Sequence, residues 1–111
     1  MPQAVYMQAG DYIDYTPGAD LASGDVVVQG DLIGVAVRPI TANTPGALAV
    51  TGVFDFAKAT GGGTAITAGA LVYWADGANQ ATTTSAGNKL LGKCVKAAAD
   101  ADATVRVRLS Q

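Results

Sequence analysis

The stretch Gly87-Asn-Lys-Leu-Leu-Gly92-Lys93-Cys94 has the G-x-x-x-x-G-K spacing of a loop that cradles phosphates on backbone N–H groups. It ends in cysteine where such a loop uses a Ser or Thr hydroxyl on magnesium, and a thiol is a poor ligand for that hard cation. The cradle also requires a strand before it and a helix after it. Here the polar tract Thr82 to Ser85 precedes it, and Cys94-Val95-Lys96 continues a strand pattern, so nucleotide binding is not expected. Asp100-Ala-Asp102 and the segment Asp11 to Asp14 gather carboxylates as a calcium loop does. Neither has the spacing of a full loop with a closing acidic ligand, and both read as solvated turns. Gly61-Gly62-Gly63 beside Lys58 has the parts of an anion site, but a flexible hinge accounts for it with nothing added.

The chain contains no histidine. That removes the commonest general base and the most frequent metal ligand together, and with them Ser-His-Asp, Cys-His and zinc arrangements. Ser23, Ser85 and Ser110 have no base nearby in sequence and read as turn residues. The single cysteine, Cys94, reads as a small buried hydrophobe on a strand. Trp74, beside Tyr73, reads as the anchor of a core or of a subunit contact, with ligand stacking as the alternative. No catalytic, cofactor-binding or metal residue is expected, and the chain reads as no enzyme. The only chemistry left is hydrolysis by aspartates alone, which requires two carboxylates facing each other in a cleft.

The elements that would carry any site are strands. All nine acidic residues are Asp, strong helix formers other than Ala are scarce, and Val, Thr, Ile and Gly are plentiful. At 111 residues the chain reads as a single domain, residues 1–111, burying roughly two-thirds of its unfolded surface. No run approaches the roughly 20 apolar residues of a membrane span, and the N-terminus lacks the basic and apolar regions of a signal peptide. The expectation is a soluble protein made in a cytoplasm, with no membrane partner. A net charge of −2 gives no case for nucleic-acid binding. The charges are nonetheless polarised: Asp11, Asp14, Asp20, Asp25 and Asp31 precede any basic residue, whereas Lys89, Lys93, Lys96, Arg106 and Arg108 gather near the C-terminus.

One pattern occurs twice. Leu21-Ala-Ser-Gly24-Asp-Val26-Val27 then Leu32-Ile33-Gly34-Val35 is followed by Ile66-Thr-Ala-Gly69-Ala-Leu71-Val72 then Leu90-Leu91-Gly92-Lys93. Pseudo-repeat halves of about 21–58 and 66–109 follow, the second holding an extra stretch, Asp76 to Asn88, that reads as a surface loop or hairpin tip. Strands are expected at Tyr12 to Tyr15, Asp25 to Gln29, Leu32 to Arg38, Ala47 to Lys58, Leu71 to Trp74, Lys89 to Ala97 and Thr104 to Leu109. In the longest, Leu48, Val50, Phe54 and Phe56 share one face, and Gly52 marks a bulge or a close backbone approach. Lys96 to Ala103 reads as a loop, its alanines being broken by Asp100 and Asp102. The fold class is all-β: a small antiparallel sandwich or barrel with an internal pseudo-repeat.

Gly10-Asp11 with Asp14-Tyr15-Thr16, Ala22-Ser-Gly24-Asp-Val-Val27, Leu32-Ile-Gly34-Val-Ala36, Gly52-Val-Phe-Asp-Phe-Ala-Lys58, Gly69 through Trp74 and Val105-Arg-Val107-Arg-Leu109 together resemble the capsid cement, or decoration, proteins of tailed phages and prophages. The resemblance implies a β-rich virion protein that binds the outside of an expanded capsid, with the major capsid protein as partner. It also implies a homotrimer and a role in stabilising the shell. A carbohydrate- or host-surface-binding β domain using Trp74 and the Asp76 to Asn88 loop is the alternative.

Residues 1–12 form either an arm, with Val5, Tyr6 and Met7 as capsid-contact candidates, or an ordinary first strand. Asp11, Asp14, Trp74, Arg106 and Arg108 are subunit-interface candidates. The Asp-rich residues 11–31 and the Lys/Arg group of residues 89–108 either meet between subunits, neutralise each other within one, or simply face water.

Overall fold

The computed structural model describes residues 3–5, 7 and 10–110. Its strands are β1 (Tyr12–Tyr15), β2 (Val26–Gln29), β3 (Leu32–Ala36), β4 (Gly46–Ala49), β5 (Gly52–Ala57), β6 (Leu71–Ala75), β7 (Gln80–Thr82), β8 (Lys89–Lys96) and β9 (Thr104–Leu109). They form a four-stranded sheet, β1-β4-β3-β2, and a five-stranded sheet, β5-β9-β8-β6-β7, antiparallel throughout and packed together as a sandwich. An isolated parallel bridge between Lys58 and Ala81 draws the edges of the five-stranded sheet toward each other, so that sheet curls without closing into a barrel.

β9 shows why the sequence folds this way. Val105, Val107 and Leu109 are buried while Thr104, Arg106 and Arg108 are exposed, the period of two that lays one face of a strand on a core. The β2–β3 hairpin pairs Gln29 with Leu32 across the two-residue turn Gly30-Asp31, with Gly30 at φ +61°, a left-handed setting that glycine adopts without steric cost.

The main core lies between the sheets. Ile33 and Val35 of the first meet Phe56, Val72, Trp74, Leu91, Val105 and Val107 of the second. Each such side chain contributes about 1.5–3 kcal/mol by leaving water. A smaller cluster of Ala36, Ile40 and Leu48, with Ile13, Tyr15, Leu21 and Val27 against it, lies on the other face of the four-stranded sheet.

The two halves match bond by bond at one turn. Gly24 N donates to Ala36 O at 2.6 Å and Gly69 N to Cys94 O at 2.7 Å. Ala36 N donates to Asp25 O and Cys94 N to Ala70 O, both at 2.9 Å. Leu21 exchanges two bonds with Ile40, and Ile66 does the same with Ala98.

One expectation is corrected and a second is narrowed. The segment Ala47 to Lys58 is two strands in different sheets: the chain leaves β4 at Ala49, turns at Gly52 with φ +123°, and enters β5. Leu48 therefore belongs to the small cluster and Phe56 to the main core, although alternation placed them on one face. The stretch Asp76 to Asn88 takes the hairpin form of the two offered, but it is not free of buried residues. It holds β7, which pairs with β6 around a turn in which Asn79 takes the left-handed conformation, and its Ala81 is buried.

Candidate functional surfaces

The phosphate-loop spacing dissolves on folding. Gly87 sits in a turn at φ +74°, but Lys89 to Lys96 is strand β8 and no helix follows. Gly92 is there for another reason: at φ +157°, a Cβ on it would overlap the carbonyl oxygen of Arg108 on β9. Cys94 is buried and its thiol donates to Lys96 O, in line with its reading as a strand hydrophobe.

The triple glycine, Lys58 and the Asp100 to Asp102 pair, each read separately in sequence, come together as one structural staple. Lys58 is 5% exposed. Its Nζ donates to Ala59 O at 2.7 Å, Thr64 Oγ1 at 3.2 Å and Asp102 O at 3.2 Å, one partner for each ammonium proton. The Asp100 carboxylate accepts from Thr64 N at 3.0 Å and Ala65 N at 2.7 Å, and that of Asp102 from Ala99 N at 2.8 Å. The oxygen-lined pocket that a cation would need is filled by this chain's own ammonium, and the carboxylates are spent on backbone N–H groups. Among the described residues no cluster of three or more potential metal ligands occurs.

Asp55 and Asp102 line one surface cleft of about 260 Å³, where aspartate-only hydrolysis would have to be sought. Neither is free to do it. Asp55 accepts from Arg106 Nε at 2.9 Å and Nη2 at 3.3 Å, and this hydrogen-bonded pairing holds its carboxyl below the usual carboxylate value. A general acid needs the opposite shift.

Trp74 is 4% exposed and packs on Phe56, ring centroids 5.9 Å apart. It anchors the core. Its edge lines a surface cleft with Leu21, Asp25 and Asn79, so the core reading accounts for most of the ring, which leaves little of it for a subunit contact or a stacked ligand.

The charged candidates separate by partner. Asp31 pairs with Lys89 at 2.6 Å and Asp55 with Arg106, so part of the charge polarity is neutralised within one chain. Asp11 accepts from Thr51 Oγ1 at 3.1 Å. Asp14 and Arg108 are exposed and make no ion pair among the described residues. Val5 is 68% and Met7 83% exposed, while Tyr6 lies outside the described residues.

The two ion pairs set a pH response. The hydrogen bonds from Lys89 and Arg106 lower Asp31 and Asp55 below the ordinary 3.8. A depressed folded-state value gives stability that is present above the unfolded pKa and is lost as pH falls through the folded one. Both pairs are exposed, so the effect is small. Thermal melts of an Asp31→Asn/Asp55→Asn variant should lie below wild type at pH 6 and converge with it toward pH 2. A gap that stays constant with pH would refute the linkage.

A family model described as phage cement protein matches residues 7–109, nearly the whole chain. The chain belongs to that family. No curated protein and no solved structure matches it. Phage cement proteins are structural parts of the capsid, and membership gives this chain a capsid-stabilising role through binding to the phage shell. The family match starts at Met7, so half of the segment proposed in sequence as an arm, residues 1–6, lies before it.

Proposed function

We propose that this cement protein binds the outer surface of an expanded phage capsid as a homotrimer, contacts the major capsid protein, and holds the shell together. The observation that carries the reading is the family match over residues 7–109. The fold supports it: a rigid sandwich has its polar chemistry committed to internal staples and its exposed apolar side chains spread over faces that a partner can cover.

The N-terminal arm belongs to the same proposal. Val5 and Met7 offer apolar contacts ahead of β1, an edge strand paired only with β4. Three arms on one trimer act with avidity, and binding only the assembled shell raises its stability by mass action.

The test adds purified protein to expanded capsids stripped of cement and follows co-sedimentation and thermal disassembly. Wild type should pellet with the shells and raise their melting temperature. Protein lacking residues 1–9 should remain folded by circular dichroism and lose most of the binding. Failure of wild type to pellet would end the cement reading, and unfolding of the truncated chain would end the arm.

A further inference from the structure

The outer face of the five-stranded sheet carries an unbalanced charge. Register places Val53, Arg108, Lys93 and Leu71 in one row across β5, β9, β8 and β6, all pointing away from the core. Arg108 and Lys93 stand directly opposite each other on neighbouring strands, and no carboxylate pairs with either among the described residues. Like charges at that spacing destabilise a sheet. Val53 is 55% and Leu71 48% exposed at the ends of the row, and a cavity of about 280 Å³ opens between Leu71, Lys93 and Arg108. Arginine is enriched at protein interfaces, and the aliphatic ends of the row give a partner apolar surface to cover.

The complementary surface is on the other sheet. Tyr12 pairs with Ala49 and Ala49 with Val35, so Tyr12 and Asp14 lie on the face that packs against the five-stranded sheet. Both are nonetheless exposed. Tyr12 is 48% and Val37 39% exposed, both lining a groove of about 570 Å³ with Ala47 and Arg38, and Asp14 sits beside that groove, opposite Ala47 in register. Residues 1–50 hold five aspartates and one arginine, net −4, whereas residues 51–111 hold four aspartates and six lysines or arginines, net +2.

We infer that these two surfaces meet between copies of the chain: the Arg108–Lys93 row of one subunit receives the Asp14–Tyr12–Val37 patch of the next. Each copy carries both halves of the contact, and a head-to-tail arrangement of this kind makes a ring when its rotation closes. The approaching carboxylate relieves the Arg108–Lys93 repulsion, and the two apolar patches cover each other. The inference rests on the proposed self-association and names the surfaces that produce it.

The test is a charge swap read by light scattering on purified protein up to about 0.1 mM, a concentration at which even weak contacts associate. Wild type should be an oligomer. Arg108→Asp/Lys93→Asp and, separately, Asp14→Lys should each give folded monomers, and the variant carrying all three reversals should regain the oligomer. Assembly should also fail at about 1 M salt, where the Debye length is about 3 Å. A monomeric wild type, reversals that leave the mass unchanged, or a triple variant that stays monomeric would each overturn the contact. Reversals that abolish capsid co-sedimentation while leaving the mass unchanged would assign the row to the shell instead. Wild-type binding to capsids, scored in parallel, keeps failure of the cement reading separate from failure of this one.

Discussion

Gly92→Ala is expected to destabilise the protein by roughly 3–5 kcal/mol, a large share of the 5–15 kcal/mol that holds a domain of this size together. The added methyl meets the Arg108 carbonyl oxygen, and Ser110 N stands only 2.9 Å away. Both are backbone atoms, so no rotamer change relieves the overlap. At φ +157° an L-residue is strained as well, and the remaining adjustment is to part β8 from β9 where Gly92 pairs with Leu109. Gly87→Ala is the control. It shares a positive φ, +74°, but its Cβ would enter open space, and it should cost about 1 kcal/mol. Urea denaturation of the two variants decides the matter, and a Gly92→Ala midpoint equal to that of Gly87→Ala would show that the strands part freely.

The second large effect is expected at Lys58. Methionine there keeps the aliphatic stem and removes the ammonium, leaving Ala59 O, Asp102 O and Thr64 Oγ1 without the donor they share. A hydrogen bond to a charged group contributes about 1.5–3 kcal/mol, and water reaching the loop edge recovers part of the loss, so Lys58→Met should cost roughly 2–4 kcal/mol. Arginine should not rescue it, because the planar guanidinium is larger than the pocket that an ammonium fills. Hydrogen exchange localises the damage: amides of residues 59–65 and 99–103 should lose protection before those of β9. A Lys58→Met protein within about 0.5 kcal/mol of wild type, with exchange unchanged in both loops, would show the cage to be incidental.

β9 was legible because its two faces meet different media, so composition alone reports its period. Lys58 left a signal too: Phe54, Phe56 and Lys58 share one alternating face, and a lysine at an inward position followed by a glycine-rich loop marks a buried ammonium that needs oxygens. The break at Gly52 was legible only as an irregularity. A positive φ has the same local signature in a bulge as in a crossing between sheets, and the choice is made by Leu109, which lies 57 residues further on and pairs with it. β7 offered still less, since three residues around a small Ala81 become a strand only because Trp74 and Lys58 lie on either side. Likewise, the exposed Tyr12–Val37 patch joins β1 to the residue that follows β3, a relation between distant segments that no window of sequence holds.

Strand order also fixes where the molecule yields under load. β9 is held on both sides, by six register pairs with β5 and by its ladder with β8, so a pull from the C-terminal end must shear two ladders together. β1 is an edge strand with four register pairs to β4 alone, and a pull from the N-terminal end can peel them one after another. For a protein that secures a shell against outward force, the N-terminal end is thus the mechanical fuse and the five-stranded sheet the fixed anchor.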